Sequence, residues 1–245
     1  MEAIEKSPRS DNVIINGVQY KAKDVTNLKL TETIVHLQNP ESNIYTGRTF
    51  DGIRLSGQKY SVIYADPPWS YKVWRKNTKN AQGARIRIAE AFYEIMTLQD
   101  LRVLPVHSLC NEDTLLFMWT TSPYIPDALT LIKAWGFEYK TIAFIWVKKQ
   151  GEIGLENKLG LGHYTRPNGE CILLATRGNN PTSLIVDHSV QQVHNFAIQD
   201  HSRKPDEFAY LIDKLVGYDK RKIELFARDS YLHLRDNWDY WGLEA

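Results

Sequence analysis

Short apolar runs separated by amphipathic stretches predict an α/β protein with a mainly parallel sheet. Three observations carry that prediction. First, YSVIYA at 60–65, TLLFMWTT at 114–121, TIAFIWV at 141–147, CILLAT at 171–176 and KIELFA at 222–227 are short and almost continuously apolar or aromatic, as strands buried on both faces are. Second, helical spacing falls between them, at Ile125, Leu129 and Ile132 and again at Phe208, Leu211, Ile212 and Leu215. Third, Gly136 and Gly217 stand just past those stretches, where a glycine ends a helix. In folds of this kind ligands bind beyond the carboxyl ends of the strands, where the strand order reverses.

The remaining elements follow in chain order. Residues 1–12 are polar and read as a frayed tail. Asn16-Gly17 between alternating apolar residues signals a hairpin. A weakly helical stretch at 28–37 and a linker at Asn39-Pro40-Glu41-Ser42 complete an N-terminal extension, 1–45, ahead of the main domain, 46–245. Asp66-Pro67-Pro68-Trp69 ends the first buried strand abruptly, because neither proline can donate to a ladder. Residues 70–91 are loop-like and basic. Thr97 with Asp100 three residues on marks a helix start, ending near Leu104-Pro105. SLIV at 183–186 is expected as a fifth strand. Pro205, Asp206 and Glu207 open the second long helix, since acids in a first turn suit the helix dipole. The C-terminal NWDYWGLEA reads as turn-rich and aromatic.

Composition narrows the function. Lys and Arg number 30 against 29 Asp and Glu, which excludes a chain that binds polyanions through bulk charge alone. The two cysteines, Cys110 and Cys171, allow neither a disulfide framework nor a CxxC metal site, and point to a reducing, cytoplasmic setting, or the nucleus of a eukaryote. The first residues lack the apolar stretch of a signal peptide, and no apolar run reaches the length of a membrane span. The seven histidines form no HxxxH or HxE pattern with cysteine support, so no metal is expected.

The turn Asp66-Pro67-Pro68-Trp69 is the segment with chemical content. Its plain reading is a strand-terminating turn. Its position at the end of a buried strand also suits transfer of a methyl group to the exocyclic amine of adenine. That nitrogen is a poor nucleophile because its lone pair is delocalised into the ring. Acceptors at its two N–H groups favour a more tetrahedral nitrogen and stabilise the positive charge that develops. The Asp66 carboxylate can accept one N–H and the Pro67 carbonyl the other. Pro67 and Pro68 stiffen the turn, which preorganises both acceptors. Trp69 offers a ring for the base to stack on. A base reaching such a pocket must leave its duplex stack.

With YADPPW, the segments TLLFMWTTSP, LIKAWGFEYKTIAFIWVK, GHYTRPNGECILLATRG, HSRKPDEFAYLIDKL and KIELFAR occur in an order that resembles one family. It is the adenine-N6 methyltransferase family named for the seventy-kilodalton subunit of the messenger-RNA adenosine methyltransferase. The likeness runs from Asp51 to Gly242 and is strongest to the small bacterial and phage members. It implies a Rossmann-like fold in which the catalytic motif precedes the cofactor-binding half, with S-adenosylmethionine as methyl donor. It also implies DNA as substrate, with RNA as the alternative. A catalytically silent nucleic-acid-binding subunit is the third reading, and the presence of Asp66, Trp69 and Lys204 argues against it. Family members often act in pairs, so a homodimer or a related methyltransferase subunit is an expected partner.

The resemblance assigns further residues. Lys204 matches the lysine that holds the carboxylate of the donor's methionine end. Glu224, Phe226 and Arg228 match the donor's adenosine site, although Glu224 could instead pair with Lys222 or Arg221. Asp66 itself can reach the donor's amino group, and Asp51 matches an acidic contact to its adenine. Relatives commonly end in Trp-Gly-Asn, whereas this chain reads Trp241-Gly242-Leu243-Glu244, so a ribose contact is lost unless Asn237 or Glu244 replaces it. In the loop after the motif, Lys72, Arg75, Lys76, Lys79, Arg85 and Arg87 occur with no acid before Glu90, and Tyr71 and Trp74 are interleaved. A solvated loop is one reading. Phosphate and base contact is the other, beside such a site. Arg166 and Asn168 in TRPNGE occupy a second loop that faces the substrate in this reading.

Overall fold

The computed structural model describes residues 12–15, 18–21, 58–69, 96–150, 156–162, 164–199, 203–227 and 235–242. Strands β1 (Asn12–Ile15) and β2 (Val18–Lys21) pair antiparallel with Ile15 opposite Val18; Asn16-Gly17 between them lies outside the described residues. The helix and linker expected at 28–42 lie outside the described residues.

The main sheet has eight strands: β3 (Tyr60–Ala65), β4 (Cys110–Thr120), β5 (Glu138–Gln150), β6 (Glu156–Asn157), β7 (Gly169–Arg177), β8 (Val193–Ala197), β9 (Lys222–Leu225) and β10 (Trp238–Trp241). The order is β10-β9-β3-β4-β7-β5-β6, with β8 beside β5. Strands β10, β9, β3 and β4 are parallel neighbours, and β8 is parallel to β5. Strand β7 runs antiparallel to both β4 and β5. This is the Rossmann-like α/β fold, with an antiparallel strand set into a parallel-rich sheet. From β3 the order diverges, to β4 on one side and β9 on the other, which is the reversal that creates a ligand crevice.

Among the described residues three α-helices cover the sheet. Helix α1 (Leu98–Val103) starts at Thr97, whose hydroxyl accepts from the Asp100 amide while the Asp100 carboxylate accepts from the Thr97 amide. Helix α2 (Ile125–Ala134) follows a short 3-10 turn at Ser122–Tyr124 and stops before Gly136, at φ 83. Helix α3 (Glu207–Val216) ends at Gly217, at φ 89. Strand alternation divides the apolar side chains between two cores. Ile63, Ala65, Leu116, Met118 and Leu225 pack with Leu101 of α1 and Leu131 of α2. Val62, Tyr64, Leu115 and Phe117 pack with Phe208, Ile212 and Val216 of α3.

Two expectations fail here. SLIV is not a strand: Pro181–Leu184 is a 3-10 turn, and the additional strand is β8. The C-terminal aromatic stretch is not merely turns, because Trp238–Trp241 is the edge strand β10. It is held by Trp238, whose indole donates to Asp213 Oδ1 of α3 at 3.0 Å. The fully buried Lys222 ammonium lies 3.0 Å from the same oxygen. A buried cation needs such a partner to offset its desolvation.

Candidate active site

Register places the functional segments on one rim. Leu225, Ala65 and Met118 lie abreast at the carboxyl ends of β9, β3 and β4. Because β7 runs the other way, Cys171 opposes Thr120, and the amino end of β7 reaches the same rim with Glu170. Asp66, Phe226, Trp119 and Glu170 are thereby gathered from four separate strand ends.

The motif turn is tightly bonded. The Asp66 amide donates to the Leu225 carbonyl at 3.4 Å. The Pro67 carbonyl accepts from the Trp69 amide at 2.8 Å, an i to i+2 turn, and the Pro68 carbonyl accepts from Met96 at 3.1 Å. A carbonyl has two lone pairs, so Pro67 keeps acceptor capacity after closing its turn.

Trp69 needs a correction. Its side chain is only 4% exposed, its ring stacks on Tyr124 at 6.0 Å, and its indole donates to the Trp119 carbonyl at 3.3 Å. It is a wall of the core that fixes the turn, not an open stacking platform.

Lys204 reaches the motif across the rim. Its ammonium lies 2.9 Å from Asp66 Oδ2 and 3.5 Å from Glu170 Oε2, and 5.3 Å from the centre of the Trp119 ring. Lys148 pairs with the other Glu170 oxygen. Burial pushes the Glu170 carboxyl up, but Lys204 and Lys148 together outweigh it and hold the group below its ordinary range. The Trp119 indole in turn donates to the Tyr64 hydroxyl at 2.6 Å. Sequence reasoning did not anticipate Glu170 or Lys148. The one available signal was an acid immediately ahead of a buried strand.

Glu224 pairs with neither Lys222 nor Arg221. Those cations go to Asp213 and, at 2.6 Å, to Asp239. Glu224 Oε2 instead lies 3.9 Å from Arg235 Nη2, and among the described residues neither Glu224 Oε2 nor Arg235 Nη1 has a hydrogen-bond partner. Burial pushes the Glu224 carboxyl up to about 8; Arg235 opposes the rise, while Asp66 and Asp206 add to it. An unfilled buried carboxylate oxygen and the part-buried Lys204 ammonium fit the polar ends of S-adenosylmethionine, which carries hydroxyl, ammonium and carboxylate groups.

Two further assignments change. Phe226 is 4% exposed and sits between Trp135 and Trp241, with ring centres at 6.5 and 5.3 Å, so it fills the core rather than offering a face to adenine. Its φ of 66 is uncommon for a bulky residue and marks the sharp turn out of β9. Asn237 precedes β10, whose Trp238 pairs with Lys222 at the amino end of β9, so it stands at the wrong end of the sheet to replace a ribose contact. Its amide donates to the Tyr218 carbonyl at 3.0 Å. Arg166 and Asn168 do lie in the segment entering β7 at the site rim. Arg166 Nε donates to the Gly160 carbonyl at 2.6 Å, and the Asn168 carbonyl accepts from Lys148 at 2.8 Å. Asp51, Tyr71, Lys72, Trp74, Arg75, Lys76, Arg228, Leu243 and Glu244 lie outside the described residues.

A cavity of about 650 Å³ bordered by Cys110, Asn111, Gly136 and Arg177 opens at the amino end of β4, away from Asp66. Burial pushes the Cys110 thiol up to about 11 and raises Cys171 as well, which disfavours thiolate chemistry at either. Among the described residues no helix is long and apolar enough to cross a membrane.

The profile of the MT-A70 family matches residues 60–244, a span that holds every strand of the rim. The chain is 36% identical over 200 residues to the Type II methyltransferase M.MunI of Mycoplasma sp, covering 78% of this chain and 80% of that protein. It is 30% identical over 182 residues to the N(6)-adenosine-methyltransferase MT-A70-like protein of Drosophila melanogaster, covering 74% of this chain but 26% of that one.

Proposed function

The chain belongs to the MT-A70 family of S-adenosylmethionine-dependent adenine-N6 methyltransferases, and from that premise we propose that it methylates adenine in DNA with Asp66 at the centre of the site. The observation that carries the placement is the Lys204 bridge between Asp66 and Glu170, beyond the double-proline turn. DNA is chosen over RNA because the likeness to M.MunI extends over most of both chains, as expected of a small self-contained enzyme.

Bound S-adenosylmethionine supplies a methyl group already activated on a sulfonium. The chain orients the acceptor. Asp66 and the Pro67 carbonyl accept hydrogen bonds from the two amine N–H groups and hold the nitrogen pointing at the methyl group. The rigid turn keeps both acceptors in place before the substrate arrives, so little reorganisation accompanies the reaction. Lys204 holds the Asp66 carboxylate and presents a cation to the donor's carboxylate. Glu224 accepts a hydrogen bond from the donor. Trp69 and Phe226 support the turns from beneath. No strong base is required, because the methylated amine is acidic while charged.

Beyond the described residues, the basic loop with Tyr71, Lys72, Arg75 and Lys76 carries phosphate and base contacts. Asp51 and Arg228 complete the donor site. With a net charge of +1 and one basic loop, a second copy or a related subunit is the partner that helps hold the strand. The compartment is that of its DNA, the cytoplasm in a bacterium.

The test is methylation of matched DNA and RNA oligonucleotides with isotopically labelled donor, read as N6-methyladenine by mass spectrometry. Label in DNA supports the proposal, label in RNA alone moves the substrate to RNA, and donor binding without label on either indicates a silent subunit.

A further inference from the structure

The segment entering β7 carries two apolar side chains with no shelter. Tyr164 is 101% exposed and Leu161 92% exposed, although Trp69, Trp119 and Phe226 at the rim are packed away. The segment is nevertheless pinned at its base. The Gly160 amide donates to the Pro167 carbonyl at 2.7 Å, and the Gly160 carbonyl accepts from Arg166 Nε at 2.6 Å. The Lys158 amide donates to the Lys148 carbonyl at 2.9 Å. A Cβ at Gly162 would meet the Thr165 carbonyl oxygen at 2.1 Å, so the tip permits only glycine there without rearranging. The result is a short, braced projection with apolar side chains displayed at its end.

Its position gives it a use. Asn168 and Gly169 lead directly from the projection into Glu170, which contacts Lys204 and Lys148 at the rim. Five residues stand between Tyr164 and Glu170, so the tip lies within about 22 Å of Glu170 even if the chain is fully extended, and Glu170 meets Asp66 through Lys204. Lys148, Lys149, Lys158 and Arg166 lie in or beside its base against Glu156 and Glu170, a positive balance that suits phosphates. A nucleotide brought to Asp66 leaves a gap in its own duplex, and closing that gap with an apolar or aromatic wedge offsets the lost stacking.

We propose that Tyr164, backed by Leu161, is a wedge that enters the duplex and occupies the space left by the adenine turned out toward Asp66. The occupant of this surface is double-stranded nucleic acid, and the inference rests on the adenine-methylating reading of the rim. The wedge does little work on a base whose pairing is already lost, because such a base leaves the stack readily.

That last property makes the test. The duplex is built on the site that the wild-type enzyme methylates in plasmid DNA, with 2-aminopurine at the target position for fluorescence or adenine there for single-turnover rates. A second duplex places an abasic nucleotide opposite the target. In Tyr164→Ala the fluorescence rise falls, and the rate on the intact duplex drops by about 5-fold to 150-fold, the range that loss of one aromatic stack supports. The rate on the abasic duplex stays within about twofold of wild type. Tyr164→Phe retains the wild-type rate on both. Leu161→Ala gives a smaller loss of the same pattern. Equal losses on the two duplexes overturn the wedge in favour of a general contact. Unchanged rates on both duplexes also overturn it. If those unchanged rates come with a shift in molar mass by light scattering, the tip is an interface between copies of the chain. A wild-type enzyme that methylates no DNA at all overturns the reading beneath the wedge, and the wedge with it.

Discussion

Replacing Asp66 separates two roles that a carboxylate could have. If it removes a proton, the neutral isostere fails as completely as a truncation. If it accepts a hydrogen bond from the amine, Asp66→Asn keeps one oxygen in place while Asp66→Ala keeps none. The structure supplies the side effects. Both variants remove the 2.9 Å ion pair with Lys204, and in both Lys204 retains Glu170 at 3.5 Å. The Asp66 and Lys204 side chains are each 17% exposed. The cost to the fold is therefore below the roughly 3–5 kcal/mol of breaking a fully buried pair, and it is shared by both variants. The difference between them isolates the acceptor. Loss of one preorganised electrostatic contact costs about 10²–10³ in rate, which is the expected drop for Ala. Asn should recover at least about tenfold of that, equivalent to about 1.4 kcal/mol in barrier. Single-turnover rates at saturating donor on one DNA substrate measure this. Equal rates for Asn and Ala refute the hydrogen-bond account, and wild-type rates for both reduce the turn to a structural device.

Three other perturbations follow from the same geometry. Lys204→Met removes one charge-assisted contact to the donor, about 1.5–3 kcal/mol, so its dissociation constant rises about tenfold to 150-fold by calorimetry; an unchanged constant removes Lys204 from the donor site. The same variant takes the largest opposing charge from Glu170, whose carboxyl should rise, visible as an upward move of any acidic limb in the pH–rate profile. Glu224 keeps its proton in the folded protein up to about pH 8, whereas unfolded it loses it near 4.5, so this residue makes stability fall as pH rises between those values, by at most about 1.4 kcal/mol per unit. Glu224→Gln should flatten that part of denaturation midpoints measured against pH, and an identical slope in the variant contradicts the assignment. Lys76→Glu with Lys79→Glu should lower the log–log salt slope of DNA binding by nearly two units, and an unchanged slope makes the loop a solvated surface.

What was legible in the sequence was local. Thr97 and Asp100 form their cap within one turn, and Gly136 and Gly217 end helices through their own backbone angles. Strands β1 and β2 pair within ten residues of chain. Two of the missed strands, β8 and β10, depend on distant partners. Strand β8 alternates between exposed and half-buried side chains, and forms because β5 offers it an edge. Strand β10 has four residues and exists because β9 lies beside it, with Trp238 anchored to Asp213 on α3. No window of sequence around either contains the groups that stabilise it.

The site divides along the same line. Asp66 and its prolines were recognisable because the four residues are contiguous in the chain, although the turn bonds to Leu225 and Met96 as well as to itself. Trp69 and Phe226 were misread because an aromatic at a strand end looks the same in sequence whether its face meets a ligand or a neighbouring ring. Here Tyr124 covers one, and Trp135 and Trp241 the other. Glu170 was missed for a stricter reason. It stands 104 positions from Asp66, and only the antiparallel insertion of β7 brings its amino end to the rim where β3 and β4 finish. A parallel strand in that place would carry Glu170 to the far edge and leave Lys204 bridging nothing. The reversal of one strand thus brings an acid at the start of a buried segment to Lys204, beside Asp66. It also puts the pinned projection ahead of β7 at the same rim, so both features come from a single topological choice.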